Sequence, residues 1–405
     1  MIELDKLTKA FPQKDGTEVR AVNEVSMTVP RGEICVFLGP SGCGKTTTLK
    51  MINRLIQPTS GTVRIDGEDT AGLDGVTLRR KIGYVIQQIG LFPNMTIEEN
   101  IMVVPRLLGW DKKQCRERAR ELVRMVQLDP DKMLKRYPRE LSGGQQQRIG
   151  VIRALAADAP VLLMDEPFGA VDPINRESIQ NEFFQMQRQL GKTVIMVSHD
   201  IDEAIKLGDK VAVFRGGRLV QFDHPDALLA HPADDFVQAF VGHDNTLKRL
   251  LLVRAGDAAT MPPTARPDMT LADAFGVMDD ADVRHLPVVQ DQRAIGYVTR
   301  RDVRAALARG GNCADVMRQF TTTAAFDEHL RIVLSRMYQH NTSWLPVIDG
   351  DGIYLGEVTQ ESIADYLSSG RSRGTAPVIQ PPASSPLATI GPAAAPTPAK
   401  EREAA

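Results

Sequence analysis

Up to about residue 240, short apolar runs alternate with amphipathic helical stretches. EICVFLG, KIGYVIQ, APVLLMDE, TVIMVSHD and KVAVFRGG are the runs. Such alternation predicts an α/β unit built on a largely parallel sheet. Between about 94 and 140 the pattern changes. The stretch DKKQCRERARELVRMV is polar and helical in period, and predicts a helical subdomain inserted into the sheet core.

A second pattern starts near 257. The run Arg284 to Val289 precedes Ile295 to Thr299, and Ser343 to Ile348 precedes Leu355 to Thr359, with the same internal spacing to within one residue. An apolar helical stretch stands before each copy, Leu271 to Met278 and Leu330 to Met337. Two copies of one supersecondary unit bury their faces against each other. From Arg371 onward Pro, Ala, Ser and Thr dominate, a composition too poor in apolar surface to offset ordering entropy. The expected organisation is therefore 1–240, a linker 241–256, repeats 257–310 and 311–370, and a disordered tail 371–405.

Charge and composition narrow the classes. The formal net charge of −2 gives no global basic field for nucleic acid. No apolar run reaches the roughly 18 residues that a membrane-spanning helix needs, and the N-terminus lacks a secretory pattern. A cytosolic setting is expected. Cys35, Cys43, Cys115 and Cys313 are scattered without a CxxC pair, so neither zinc nor a disulfide framework is suggested.

The chemistry lies at the ends of the apolar runs. Gly39, Pro40, Ser41, Gly42, Cys43, Gly44, Lys45 and Thr46 fit G-x4-G-K-[ST] after the run ICVFL and before a helix expected over Thr46–Asn53, which also carries Thr47. Backbone N–H groups of such a loop close on phosphate oxygens, and the helix start adds partial positive charge. Lys45 is placed to bridge β- and γ-phosphates, and Thr46 to offer its hydroxyl to Mg²⁺. The run from Val161 ends in Asp165 and Glu166, which alone would be an ordinary strand end. Beside a phosphate loop, Asp165 suits Mg²⁺ and Glu166 suits a general base for the attacking water. His199 ends the next run, as a structural residue or as a γ-phosphate contact.

Leu141, Ser142, Gly143, Gly144 and Gln145 resemble the signature of ABC ATPases. Ser142 can cap a helix starting near Gln145, and the two glycines let an anion approach it. The resemblance covers about 240 residues in ordered motifs. It implies a P-loop ABC ATPase domain, a RecA-like core with antiparallel β and helical subdomains, binding ATP and Mg²⁺. It further implies a homodimer that sandwiches two nucleotides head to tail. Phe11 resembles the aromatic that stacks on adenine, with simple packing as the other reading. Gln87 resembles the glutamine that contacts Mg²⁺ and links to a membrane subunit. Asp172 resembles the loop that communicates across the dimer, although Gly169-Ala-Val-Asp172 departs from the more frequent Ser or Ala before Leu-Asp.

The segment Leu91 to Thr96 resembles the part of importer ATPases that cups a helix of the membrane subunit. This implies integral-membrane permease partners and a peripheral position on the cytoplasmic face of the inner membrane. The two C-terminal repeats resemble CBS motifs, a tandem α+β module. An importer ATPase with such a pair resembles subunits for glycine betaine, choline or carnitine uptake; an importer of another solute, such as an amino acid, and a non-transport CBS-regulated ATPase are the alternatives. Aromatic residues make up 5% of the chain, with Trp110 and Trp344 far apart in sequence, so no cage for a quaternary ammonium is readable and an extracytoplasmic binding protein is expected to hold the substrate. For the CBS pair three readings stand. Thr299-Arg300-Arg301-Asp302 resembles the motif whose Asp holds the ribose of an adenine nucleotide, while the second copy has Ser362 there. Pairing alone is the second. The third is charge sensing, in which Arg300, Arg301, Arg304, Arg309 and Arg318 meet an anionic leaflet, each gaining about 1 kcal/mol that salt removes.

Overall fold

A computed structural model describes residues 1–369 except 15, 88, 89, 170 and 243, with backbone alone for 173–175. The tail expected from 371 lies outside the described residues. The chain divides into two compact units. The first takes in Met1–Ala258, Asp327–Ser343 and the described residues from Thr359; the second takes in Ala259–Phe326 and Trp344–Val358.

The centre of the first unit is a six-stranded sheet in the order Arg218–Asp223, Lys210–Arg215, Ile34–Leu38, Thr193–Val197, Val161–Asp165, Ile82–Val85. All neighbours are parallel except the edge strand Arg218–Asp223. The uninterrupted apolar runs follow from burial on both faces. Along Ile34–Leu38, Ile34, Val36 and Leu38 enter one core while Cys35 and Phe37 enter another. Leu162 and Met164 join the first of these cores, and Val161 and Leu163 the second. Each fully buried aliphatic side chain contributes about 1.5–3 kcal/mol, so both faces of these strands are held by burial.

A separate antiparallel sheet orders Glu18–Val29, Ile2–Pro12, Ser60–Ile65 and Glu68–Asp69. The insert expected between 94 and 140 holds helices Ile97–Leu107, Lys112–Met125 and Pro130–Met133. Thr96 and Asp111 start the first two with reciprocal capping boxes.

In the second unit, the first repeat forms the hairpin His285–Gln290 and Arg293–Thr299. Its core gathers Leu271, Ala274, Met278, Leu286, Val288, Val298 and Val303. The second repeat's strands Trp344–Ile348 and Tyr354–Thr359 join Ala324–Ala325 in a three-stranded sheet. Its two helices, Leu330–Gln339 and Gln360–Ser368, group with the first unit.

One buried ion pair ties that last helix down. Arg249 Nε donates to Asp226 Oδ1 at 2.7 Å, with side chains only 3% and 5% exposed. Arg249 Nη1 also donates to the Leu367 carbonyl at 2.8 Å, and the guanidinium lies 5.7 Å from the Tyr366 ring. Arg249→Ala strips Asp226 of this buried countercharge. It is expected to cost about 3 kcal/mol, read as a lowered thermal midpoint, and an unchanged melt would contradict the assignment.

Candidate functional site

Four neighbouring parallel strands end on the same edge of the sheet. Leu38 runs into Gly39, Val197 into His199, Met164 into Asp165 and Glu166, and Val85 toward Gln87. Crevices at the carboxyl ends of parallel strands are where open α/β sheets bind ligands.

The phosphate-type loop curls from Gly39 to Gly44. Gly39 has φ 143° and Gly44 φ 104°. A Cβ at Gly39 would collide with the Phe214 carbonyl, and one at Gly44 with the Ala21 carbonyl, so only glycine lets the loop close. The following helix is Lys45–Ile52, one residue earlier at each end than the sequence suggested. Lys45 is 6% exposed. Its ammonium donates to the Gly39 carbonyl at 2.6 Å and the Pro40 carbonyl at 3.0 Å, with Cys43 Sγ at 3.7 Å.

Thr46 Oγ1 donates to Asp165 Oδ1 at 2.9 Å. Burial holds the Asp165 carboxyl above the usual aspartate range, against the pull of Thr46, Lys50 and Lys45. Glu166 sits at φ 46°. A left-handed non-glycine residue costs about 1–2 kcal/mol, and such strain clusters at functional sites. The turn is pinned by Glu166 N donating to the Val197 carbonyl at 3.1 Å. Gln87 Nε2 donates to Glu166 Oε2 at 3.0 Å, and His199 Nδ1 lies 3.8 Å from the same oxygen.

Ser142, Gly143, Gly144, Gln145, Arg148 and Asp172 line a different feature, a cleft of about 380 Å³. Ser142 caps the helix Gly143–Leu155, accepting from Gln145 N at 3.4 Å while its own N–H donates to Gln145 Oε1 at 3.1 Å. Lys45, Glu166 and His199 are not among the described residues lining this cleft. The expected site residues thus fall into two groups, the strand-end cluster and the Ser-Gly-Gly cleft. Phe11 is 40% exposed near the end of strand Ile2–Pro12, with Lys9 Nζ 5.0 Å from its ring.

The residues fit Mg²⁺. Thr46 hydroxyl, Asp165 carboxylate and Gln87 amide are hard oxygen donors. No group of three or more His, Cys, Asp or Glu side chains suited to a metal occurs among the described residues.

In the second unit, Asp302 is engaged inside the protein. Arg318 donates to it from Nη2 and Nε, each at 2.7 Å, holding its carboxyl below the usual range. Arg300 pairs with Asp279 at 2.8 Å. Arg301, Arg304 and Arg309 remain exposed. Trp344, isolated in sequence, packs in an aromatic cluster: the His285 ring stacks on it at 3.8 Å, with Tyr297 and Phe320 at 5.4 and 5.8 Å.

The sequence reading passed over Glu203, Gln180, Arg176 and Ser198. Glu203, Arg176 and Ser198 line a small cavity of about 40 Å³ together with Glu166 and His199. Glu203 is 7% exposed and Gln180 6%. In sequence Glu203 follows Asp200 and Asp202 at a helix start, where an acidic residue reads as a solvated partner of the helix dipole.

A parallel sheet with a glycine-lined loop at Lys45, carboxylates at the next strand end and a capped Ser-Gly-Gly helix defines a P-loop ATPase of the ATP-binding-cassette class. The family model described as ABC transporter matches residues 22–169, and that described as CBS domain matches 255–309 and 313–369. The osmoprotectant import ATP-binding protein OsmV of Salmonella typhimurium is 65% identical over 376 residues, 92% of this chain and 98% of that protein. The choline transport ATP-binding protein OpuBA of Bacillus subtilis is 45% identical over 375 residues, 91% of this chain and 96% of that protein. Among solved structures, the dimeric cassette MJ0796 in a post-hydrolysis state with ADP and Pi aligns at 34% identity and TM-score 0.50, over 56% of this chain and 99% of that one. The chain belongs to the ABC transporter ATP-binding subunits that carry paired CBS domains. No helix among the described residues is long and apolar enough to cross a membrane.

Proposed function

We propose that the chain hydrolyses ATP to drive an importer of glycine betaine- or choline-type osmoprotectants, working as a head-to-tail dimer on the cytoplasmic face of the membrane with permease subunits and an extracytoplasmic binding protein. The observation that carries the dimer is the division of the site. One chain holds a phosphate loop with its carboxylates and, in a separate cleft, a capped Ser-Gly-Gly helix start. Each is half of an ATP site, and two copies facing head to tail bring unlike halves together. The transported class rests on the OsmV and OpuBA relatives.

In this reading the loop from Gly39 to Thr47 wraps the phosphates with backbone N–H groups, and Lys45 turns its ammonium from loop carbonyls to the β- and γ-phosphates. Thr46, Asp165 and Gln87 would hold Mg²⁺, which when bound neutralises charge on the phosphate oxygens. Glu166 takes a proton as water oxygen attacks the γ-phosphorus and the bond to the β-phosphate oxygen breaks. Gln87 orients the Glu166 carboxylate, and His199 contacts the γ-phosphate. Ser142, Gly143, Gly144 and Gln145 of the second copy present an anion-binding helix start to the same nucleotide, and Asp172 faces across the dimer. Phe11 offers an exposed ring to the adenine. The segment around Phe92, 46% exposed and buttressed by Arg153, with the helical insert beside it, is the permease docking face.

Ser142→Arg tests the division. An arginine in the cleft blocks closure, so hydrolysis is expected to fall roughly 100-fold, about 2.7 kcal/mol, while the monomer keeps its ATP affinity. Gel filtration with ATP reads the dimer and nucleotide titration reads binding. Normal ATP-driven dimerisation of this variant removes the head-to-tail arrangement. Uptake of labelled glycine betaine and choline by vesicles containing the chain with its permease tests the substrate class, and transport of neither removes it.

A further inference from the structure

Glu203 is the third residue of helix Ile201–Leu207, whose start is capped by Asp200 accepting from Asp202 N and Glu203 N. An acidic side chain there gains from the helix dipole while remaining in water. Asp202 is exposed in this way. Glu203 instead turns inward, and burial holds its carboxyl above the usual glutamate range. Burying a carboxyl is expensive unless hydrogen bonds satisfy it.

Its partners come from two segments already implicated in the reaction. Gln180 Nε2 donates to Glu203 Oε1 at 3.0 Å. Gln180 lies on helix Pro173–Leu190, which begins directly after Asp172. On the same helix, Arg176 N–H donates to the Asp172 carbonyl at 3.0 Å, Arg176 Nη2 donates to the Val171 carbonyl at 3.0 Å, and the guanidinium charge acts on the Glu203 carboxyl. From the other side, Ser198 lines the same small cavity as Glu203, and its hydroxyl favours the charged carboxylate. Ser198 Oγ accepts from Asp200 N at 3.0 Å, and Ser198 N donates to the Phe37 carbonyl of the phosphate-loop strand at 3.0 Å. The residue between Ser198 and Asp200 is His199. Charged groups around the carboxyl are Arg176, Asp200 and, lining the same cavity, Glu166 and His199.

We propose that Glu203 is a positioning residue for hydrolysis: through Ser198 and Gln180 it holds the His199 turn in fixed relation to the loop at Asp172. The inference rests on the roles given above to His199 and Asp172. It adds a route within one chain by which a displacement of the Asp172 loop on dimer closure reaches His199. Glu203 does not itself touch nucleotide; it keeps His199 where the γ-phosphate requires it, and small misplacements of such groups are costly.

The test uses the purified full-length chain, with steady-state and single-turnover ATP hydrolysis and titration with a fluorescent ATP analogue. Glu203→Ala is expected to lower kcat about tenfold with nucleotide affinity unchanged, and Gln180→Ala to do the same. In a His199→Ala background, adding Glu203→Ala is expected to cost less than about twofold more, because a residue acting through His199 has nothing left to position. Glu203→Gln keeps an acceptor for Gln180 at nearly the same volume and serves if Glu203→Ala melts early; it is expected to retain more rate than alanine. A kcat for Glu203→Ala above about half of wild type, or a full tenfold loss persisting without His199, overturns the inference. Full hydrolysis by His199→Ala itself would instead overturn the role of His199 on which it stands.

Discussion

Glu166→Gln is expected to leave ATP binding intact and to lower hydrolysis by about 100- to 10,000-fold, the span that a positioned general base supplies. The substitution preserves volume and an acceptor oxygen for the Gln87 amide, which now donates to Glu166 Oε2 at 3.0 Å. What it removes is the capacity to take a proton from water. The backbone strain at φ 46° is carried equally by glutamine, so the turn anchored by Glu166 N on the Val197 carbonyl persists. With binding retained and cleavage blocked, the protein accumulates as an ATP-bound dimer, visible by gel filtration at millimolar ATP and by single-turnover phosphate release. Turnover near the wild-type rate would take the base role from Glu166 and leave His199, 3.8 Å from the same carboxylate oxygen, as the group to test next.

The two halves of the proposed ATP site were legible because each rests on local chemistry. A glycine-lined loop between a buried strand and a helix, and a serine-capped helix start, declare themselves within ten residues of sequence. The parallel sheet was legible for a related reason: strands such as Ile34–Leu38 serve two cores at once and therefore read as continuous apolar runs. What stayed hidden depends on partners distant in sequence. Glu203 reads as one more acid at a helix start until Gln180 is seen donating to it and Ser198 lining the same cavity. Asp302 reads as an open acceptor until Arg318, well downstream, is found on both its oxygens. Trp344 reads as a lone aromatic until the fold brings His285, Tyr297 and Phe320 against it. Arg249 likewise gives no sign in sequence that it is buried against Asp226 and the carbonyl of Leu367.

Lys45→Ala is expected to weaken ATP binding by roughly 100-fold or more, since hydrogen bonds to charged groups contribute about 1.5–3 kcal/mol each and this ammonium is placed to make two, to the β- and γ-phosphates. Its present contacts are loop carbonyls, Gly39 at 2.6 Å and Pro40 at 3.0 Å. Those bonds satisfy a 6%-exposed ammonium, so the measured loss is the difference between its bonds to carbonyl and to phosphate oxygen. The same carbonyls lose their donor in the alanine variant, which predicts a small drop in thermal midpoint besides the loss of affinity. Lys45→Arg separates charge from shape. It keeps the positive charge but replaces a compact, 6%-exposed ammonium held by the Gly39 and Pro40 carbonyls with a larger planar fork, so it too is expected to bind ATP weakly. Titration of the folded variants with a fluorescent ATP analogue reads both effects. Wild-type affinity in Lys45→Ala would mean that the phosphates lie elsewhere than in the loop that Lys45 closes.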